Sequence, residues 1–228
     1  MSTHPGKDRL ERVDEMALIL SPAMKDARLP AAGGSRGFGS RMSPPPETAL
    51  MLRELRVEDE ASFKEAVAEF RASQPEWGFA FHFDDTADFR NYVRRVNGWP
   101  RGEDLPERFV PNTFLVGVLQ GKVVGRLSLR HELNDFLLRI GGHIGYGVVP
   151  SCRRRGHARA MLRLSLPVAR SLGIGRVLLT CDDDNPGSIR VIESCGGVLE
   201  NVLMEAGMSV GKRRYWIDLA KPAIEVSR

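Results

Sequence analysis

Twelve residues from Val148 to Arg159, VVPSCRRRGHAR, combine the two things needed to hold a phosphate. Small residues at Gly156 and Ala158 let the backbone turn tightly, so that the N–H groups of Arg154 to Arg159 converge on one point. Where such a turn opens a helix, unpaired donors and the positive end of the helix dipole favour an anion. No Gly-Lys-Ser/Thr follows, so this is not a nucleotide P-loop, and it lacks the G-x-G-x-x-G of dinucleotide folds. From Phe136 to Cys181 there is no Asp or Glu, but there are eight arginines. The rest of the 228-residue chain carries 25 basic against 29 acidic residues. A local excess of this kind argues for one anionic ligand rather than a nucleic-acid coat.

To present this turn, a strand must end near Val149 and a helix must begin after Arg155. Ile144–Val149 has strand character and carries Gly145 and Gly147, and glycine inside a strand often marks a bulge or a close approach. The helix should run to about Leu172, bent or split at Pro167, which removes a backbone donor. Upstream, the pattern predicts a strand at Leu50–Leu55, an amphipathic helix at Val57–Phe70 and a helix at Thr86–Val96. A loop at Asn97–Pro111 precedes a hairpin formed by Thr113–Leu119 and Lys122–Arg130 around Gln120-Gly121. Downstream come a strand at Arg176–Cys181, a helix at Pro186–Ser194 with Asp184 and Asn185 as cap candidates, Asp184 the more expected, and strands at Val198–Met204 and Arg213–Leu219.

With Val148 and Pro150 ahead of Arg153-x-x-Gly156-x-Ala158, the segment resembles the GNAT superfamily of acetyl-CoA-dependent N-acetyltransferases. The strand Val177–Cys181, Asn185, Ser188 three residues on, and Gly196-Gly197 fit the same pattern. The resemblance covers roughly Leu50 to Leu219, most strongly Gly142–Gly197. It implies an α/β (α+β) fold: a mixed, mostly antiparallel sheet of six to seven strands, splayed at its centre and flanked by about four helices. It also implies that acetyl-CoA is the co-substrate. The pantetheine would lie along Tyr146, Gly147 and Val148. The pyrophosphate would sit on Arg153, Arg154, Arg155, Gly156, His157, Ala158 and Arg159, with Asn185 and Ser188 on the other wall.

The expected catalytic pair is missing. An alkyl ammonium with a pKa near ~10.4 must lose a proton, at a cost of roughly 4–5 kcal/mol at pH 7. Many family members use a Glu before the CoA loop and a Tyr seven residues after the Asn, but here these positions hold Gly142 and Ile192. Tyr146 is the catalytic candidate, since strand parity puts it on the face of Gly142. His143, His131, Tyr215 and the run Asp182-Asp183-Asp184 are weaker substitutes. Proximity and backbone donors supply much of the acceleration even without a carboxylate. For the acceptor, His131, Glu132, Asn134 and Asp182 are the candidate contacts. The surrounding aromatic and acidic residues suit a small cationic amine, although a protein amine and a purely structural aromatic cluster fit the same composition.

Residues 1–47 are expected to be an appendage. Apolar residues between Asp8 and Leu20 recur at helical spacing, and residues 30–46 hold four Gly, four Pro and three Ser. Met42 and Met51 are alternative initiators. The acetyltransferase domain is expected over 48–222, with a tail at 223–228. No apolar run approaches the ~18 residues that a bilayer requires. Cys152, Cys181 and Cys195 are odd in number and lack C-x-x-C spacing, which suits free thiols in a reducing cytoplasm and provides no metal site. The reading is thus an acyltransferase that acts on a small-molecule amine, with no nucleic-acid or membrane partner and with a homodimer as the common assembly. Its alternative is a GNAT-fold module that binds acyl-CoA without turning it over.

Overall fold

The computed structural model describes residues 49–75 and 78–220. The expectations for residues 1–47 and for the 223–228 tail therefore lie outside the described residues. Seven strands form two sheets. The first, in the order β1-β2-β3-β4, contains β1 (Met51–Glu54), β2 (Asn112–Leu119), β3 (Lys122–Arg130) and β4 (Ile144–Val148). The second, in the order β5-β7-β6, contains β5 (Arg176–Asp182), β6 (Val198–Leu203) and β7 (Lys212–Asp218). Every ladder is antiparallel. The helices are α1 (Glu60–Ser73), α2 (Phe89–Gly98), α3 (His157–Ser171) and α4 (Pro186–Glu193).

Two apolar layers cover the faces of the first sheet. On one side, α1 presents Phe63, Ala66, Val67 and Phe70, spaced to share one helical face, to Phe114, Val116 and Val118 of β2. A group of aromatic residues from the segment leading into α2 joins them, with Phe63 and Phe83 edge to face at 5.4 Å. On the other side, Met161 and Leu162 of α3 pack with Leu127 and Leu129 of β3 and with Val177 and Leu179 of β5. Buried on both faces, β2 and β3 form a rigid base for β4.

The structure departs from expectation in three places. Helix α2 begins at Phe89 rather than Thr86, because Asp88 caps it by accepting Arg90 N–H at 2.9 Å. Helix α3 is not split at Pro167 but runs through it, with the proline on the exposed face. There, the Arg163 carbonyl that the proline leaves without a donor can bond water. Between β3 and β4 the chain makes a π-helical turn at Leu137–Gly141, which no sequence signal announced.

Candidate active site

Strand β4 is paired only with β3, and β5 only with β7, so two unpaired strand edges face each other. They meet at one end, where His143 N–H donates to Leu178 O at 2.7 Å and Leu178 N–H donates to His143 Nδ1 at 2.9 Å. Thr180 Oγ1 also donates to Ile140 O nearby. From this apex the strands diverge into a cleft of about 830 Å³. Its walls are Tyr146, Gly147 and Val148 of β4, the loop and N-terminus of α3, and Asn185, Ser188 and Val191 around α4.

The loop turns through two left-handed residues, Arg154 at φ 63° and Gly156 at φ 82°. Gly156 precedes α3 with no side-chain cap, and the first intrahelical bond is Ala160 N–H to Gly156 O. The amides of His157, Ala158 and Arg159 are thus left at the cleft without helical acceptors. A Cβ on Gly156 would meet nothing within 4 Å, so this residue is chosen for its backbone angle and leaves open space above it. Arg154, Gly156, His157, Ala158 and Arg159 all line the cleft, whereas Arg155 does not. Arg153 lines it too, but its guanidinium is used internally. Nε donates to Val148 O at 3.1 Å, Nη2 donates to Gln74 Oε1 at 2.7 Å, and the group lies over the Phe70 ring. Arg153 therefore holds α1, β4 and the loop together.

Asn185 lines the cleft and also caps α4. Its Oδ1 accepts Ser188 N–H at 3.0 Å, so Asn185, not Asp184, caps α4. Tyr146 reaches the cleft with its hydroxyl buried and without a well-aligned hydrogen bond, and burial raises the phenol above its ordinary value, an effect that the neighbouring Ser188 hydroxyl partly offsets. These features fit a CoA thioester: an uncapped helix N-terminus for the pyrophosphate, open strand edges for the pantetheine amides, and an orphaned phenol between them.

The residues discussed as catalytic substitutes are distributed differently. Gly142 lies outside β4 at φ 66°, and a Cβ there would sit 2.7 Å from Leu178 O. No glutamate can occupy that position in this backbone. Ile192 is buried in the core. His143 is fixed at the apex, with its pKa pushed down to about 4 by burial and then by Arg130. Tyr215 is bonded to Glu193. Asp182 forms a buried ion pair with Lys212, and Asp183 pairs with Arg213, so these two aspartates hold β7.

On the opposite face of β3 and β4 lies a second cavity of about 280 Å³. Asn134 lines it, whereas His131 turns away to bond Thr113 Oγ1 at 2.8 Å and Glu132 is exposed outside it. Its deeper residues, Asn112, Ser128 and Arg130, were missed by sequence reasoning. Charged and polar residues near strand ends look like ordinary surface, and only the hairpin register pairs Asn112 with Arg130. Gly145 also acquires a role here: a Cβ would come within 3.3 Å of Arg130 Nη1, so the glycine makes room for a guanidinium.

No curated protein matches the sequence. Solved structures share its fold. The microcin C7 self-immunity acetyltransferase MccE, in complex with acetyl-CoA and AMP, is 17% identical, with 77% of this chain and 98% of that one covered and a TM-score of 0.54. Mycobacterium smegmatis RimJ, in complex with CoA-disulfide, is 19% identical over 76% and 83% of the chains at 0.54. Spermidine N-acetyltransferase from Vibrio cholerae, in complex with CoA and spermine, is 18% identical over 75% and 96% at 0.50. The family model described as an acetyltransferase (GNAT) domain matches residues 49–198, a span that takes in the diverging strands, the uncapped helix and the loop between them. On that match the chain belongs to the GNAT acetyltransferase family.

Proposed function

We propose that the chain transfers an acetyl group from acetyl-CoA directly to a primary amine of a small molecule. The observation that carries this reading is the cleft, where the open edge of β4 lies between the uncapped N-terminus of α3 and the buried Tyr146 hydroxyl. The amides of His157–Arg159, with Arg154 beside them, would bind the pyrophosphate, and the open edges would align the thioester. Acetyl-CoA supplies an activated acyl group. A C–N bond forms, the C–S bond breaks, and one proton passes from nitrogen to sulfur.

None of the three cysteines lines the cleft, which supports transfer in a ternary complex rather than through a thiol of the protein. All three are free, as in proteins of the reducing cytoplasm. Tyr146, kept protonated by burial, is the group available to protonate the departing thiolate. The acceptor reading rests on the second cavity, whose volume of about 280 Å³ matches a small molecule better than a length of polypeptide.

Release of CoA thiol, measured with a panel of small amines and amine-bearing peptides, tests the proposal. Small amines should release CoA faster than peptides, and Tyr146→Phe should lower kcat about 100-fold with little change in the KM for acetyl-CoA. Tight acetyl-CoA binding with no thiol release for any acceptor would refute the transferase reading.

A further inference from the structure

Arg130 is only 5% exposed, and among the described residues no carboxylate pairs with it. Its Nη1 donates to the carbonyls of Gly141 and Gly142, each at 3.2 Å. Nε and Nη2 bond no described group and are not sealed from solvent, so they reach the 280 Å³ cavity that Arg130 lines. Beside it, Asn112 and Ser128 are each 2% exposed, and Ser128 Oγ donates to Asn112 Oδ1 at 3.3 Å. Phe81, Phe109 and Phe136 form the apolar walls. The carboxylate that also lines the cavity, Glu107, is an exposed residue.

A desolvated guanidinium with two donors directed at open space is a costly arrangement unless an anion completes it, and its planar fork matches a carboxylate. Burial alone pushes the Arg130 pKa down, to about 10, which still leaves the group cationic at neutral pH. Aromatic walls require an apolar body, and the volume, slightly below the roughly 300 Å³ at which pockets for drug-sized ligands begin, requires a compact one. Arg130 also lies against β4 at Gly145, and β4 is the strand whose Tyr146, Gly147 and Val148 border the cleft.

We propose that this cavity is the acceptor pocket and that Arg130, with the second Nδ2 hydrogen of Asn112, whose amide Ser128 orients, holds the carboxylate of an amino-acid-sized acceptor with an aromatic or apolar side chain. The assignment rests on the transferase reading for its meaning, but not for its test.

Calorimetric titration of the CoA-saturated protein with L-phenylalanine and with L-phenylalaninamide measures the site without turnover. The acid should bind saturably and the amide at least about 100-fold more weakly, the size expected when a buried charge loses its partner. Arg130→Gln should reduce binding of the acid to the level of the amide, Arg130→Lys should restore part of it, and acetyl-CoA affinity should stay unchanged. Asn112→Asp, which places a carboxylate opposite Arg130 at nearly constant volume, should do the same and decides the matter if Arg130→Gln does not fold. Equal binding of acid and amide, undiminished binding of the acid in these variants, or no saturable binding of the acid overturns the proposal. If the acid binds as expected but no thiol is released, the carboxylate site stands and the transferase reading falls.

Discussion

At Gly142 the backbone takes φ 66° within reach of Leu178 O, so the position where many relatives keep a base cannot carry a side chain. Gly142→Ala is expected to destabilise the protein by more than about 2 kcal/mol, through left-handed strain together with a backbone collision. In urea titrations this should appear as a lower midpoint at an unchanged slope. Gly142→Glu should lose stability in the same way and gain no activity; a stable and faster Gly142→Glu enzyme would show that the apex is looser than the 2.7 Å approach implies. The same residue shows where strand parity fails. Counting alternate residues from Gly142 to Tyr146 assumes a continuous strand, yet β4 starts only at Ile144. Tyr146 reaches the cleft because it alternates with Gly145 and Gly147 inside β4, so its placement was legible but the reason for it was not. Arg130 was not legible at all. Its burial depends on Gly145 of the next strand lacking a side chain, a relation between two residues that neither reveals alone.

The elements were easier to read than their junctions. Among the described residues, periodicity located the four α-helices and the seven strands; most bury a repeating apolar face, whereas β6, exposed along nearly its whole length, was legible only from its β-branched and apolar composition between turns. What it could not supply were the features decided by single polar contacts: Asp88 as a cap, the choice of Asn185 over Asp184 as the cap of α4, the π turn, and the apex of β4 and β5. The apex carries a prediction of its own. His143 accepts Leu178 N–H through Nδ1 and must be neutral to do so, and its pKa falls from the ordinary 6.5 to about 4, chiefly through burial. A histidine whose folded pKa is depressed binds protons more readily when unfolded. Its contribution is therefore complete above pH 6.5 and is lost as pH falls towards 4. On the order of 2 kcal/mol of unfolding free energy should disappear across that interval, measured by urea titration at successive pH values. His143→Gln, which cannot titrate, should flatten the profile; an equally steep profile in that variant would assign the loss to other groups.

For the molecule as a whole, the eight arginines of the acid-free stretch do not converge on one ligand. Arg139 pairs with Glu205, Arg170 donates to Leu219 O, and Arg176 lies over the Trp216 ring at 4.1 Å. Arg153 braces the loop, so of the eight only Arg154 and Arg159 present largely exposed charge at the cleft itself. Net charge therefore pointed to the correct segment but overstated the field there. The two sheets touch directly at the apex and are otherwise joined through α3, α4 and the core, leaving the edges of β4 and β5 as the unfinished seam. A ligand that bonds both edges should stabilise the protein more than its phosphate contacts alone would. Saturation at about 100 times Kd adds roughly 2.7 kcal/mol, which is readable as a higher Tm. Hydrogen exchange should slow at the facing edges of β4 and β5 on adding acetyl-CoA and remain unchanged in β6, which lies at the far edge of the second sheet. Gly156→Glu, placing a carboxylate in the open space over the α3 N-terminus, should abolish both effects while leaving the ligand-free Tm lower only by the strain of a left-handed residue. Slowing spread evenly over both sheets would mean that the ligand tightens the fold as a whole rather than closing this seam.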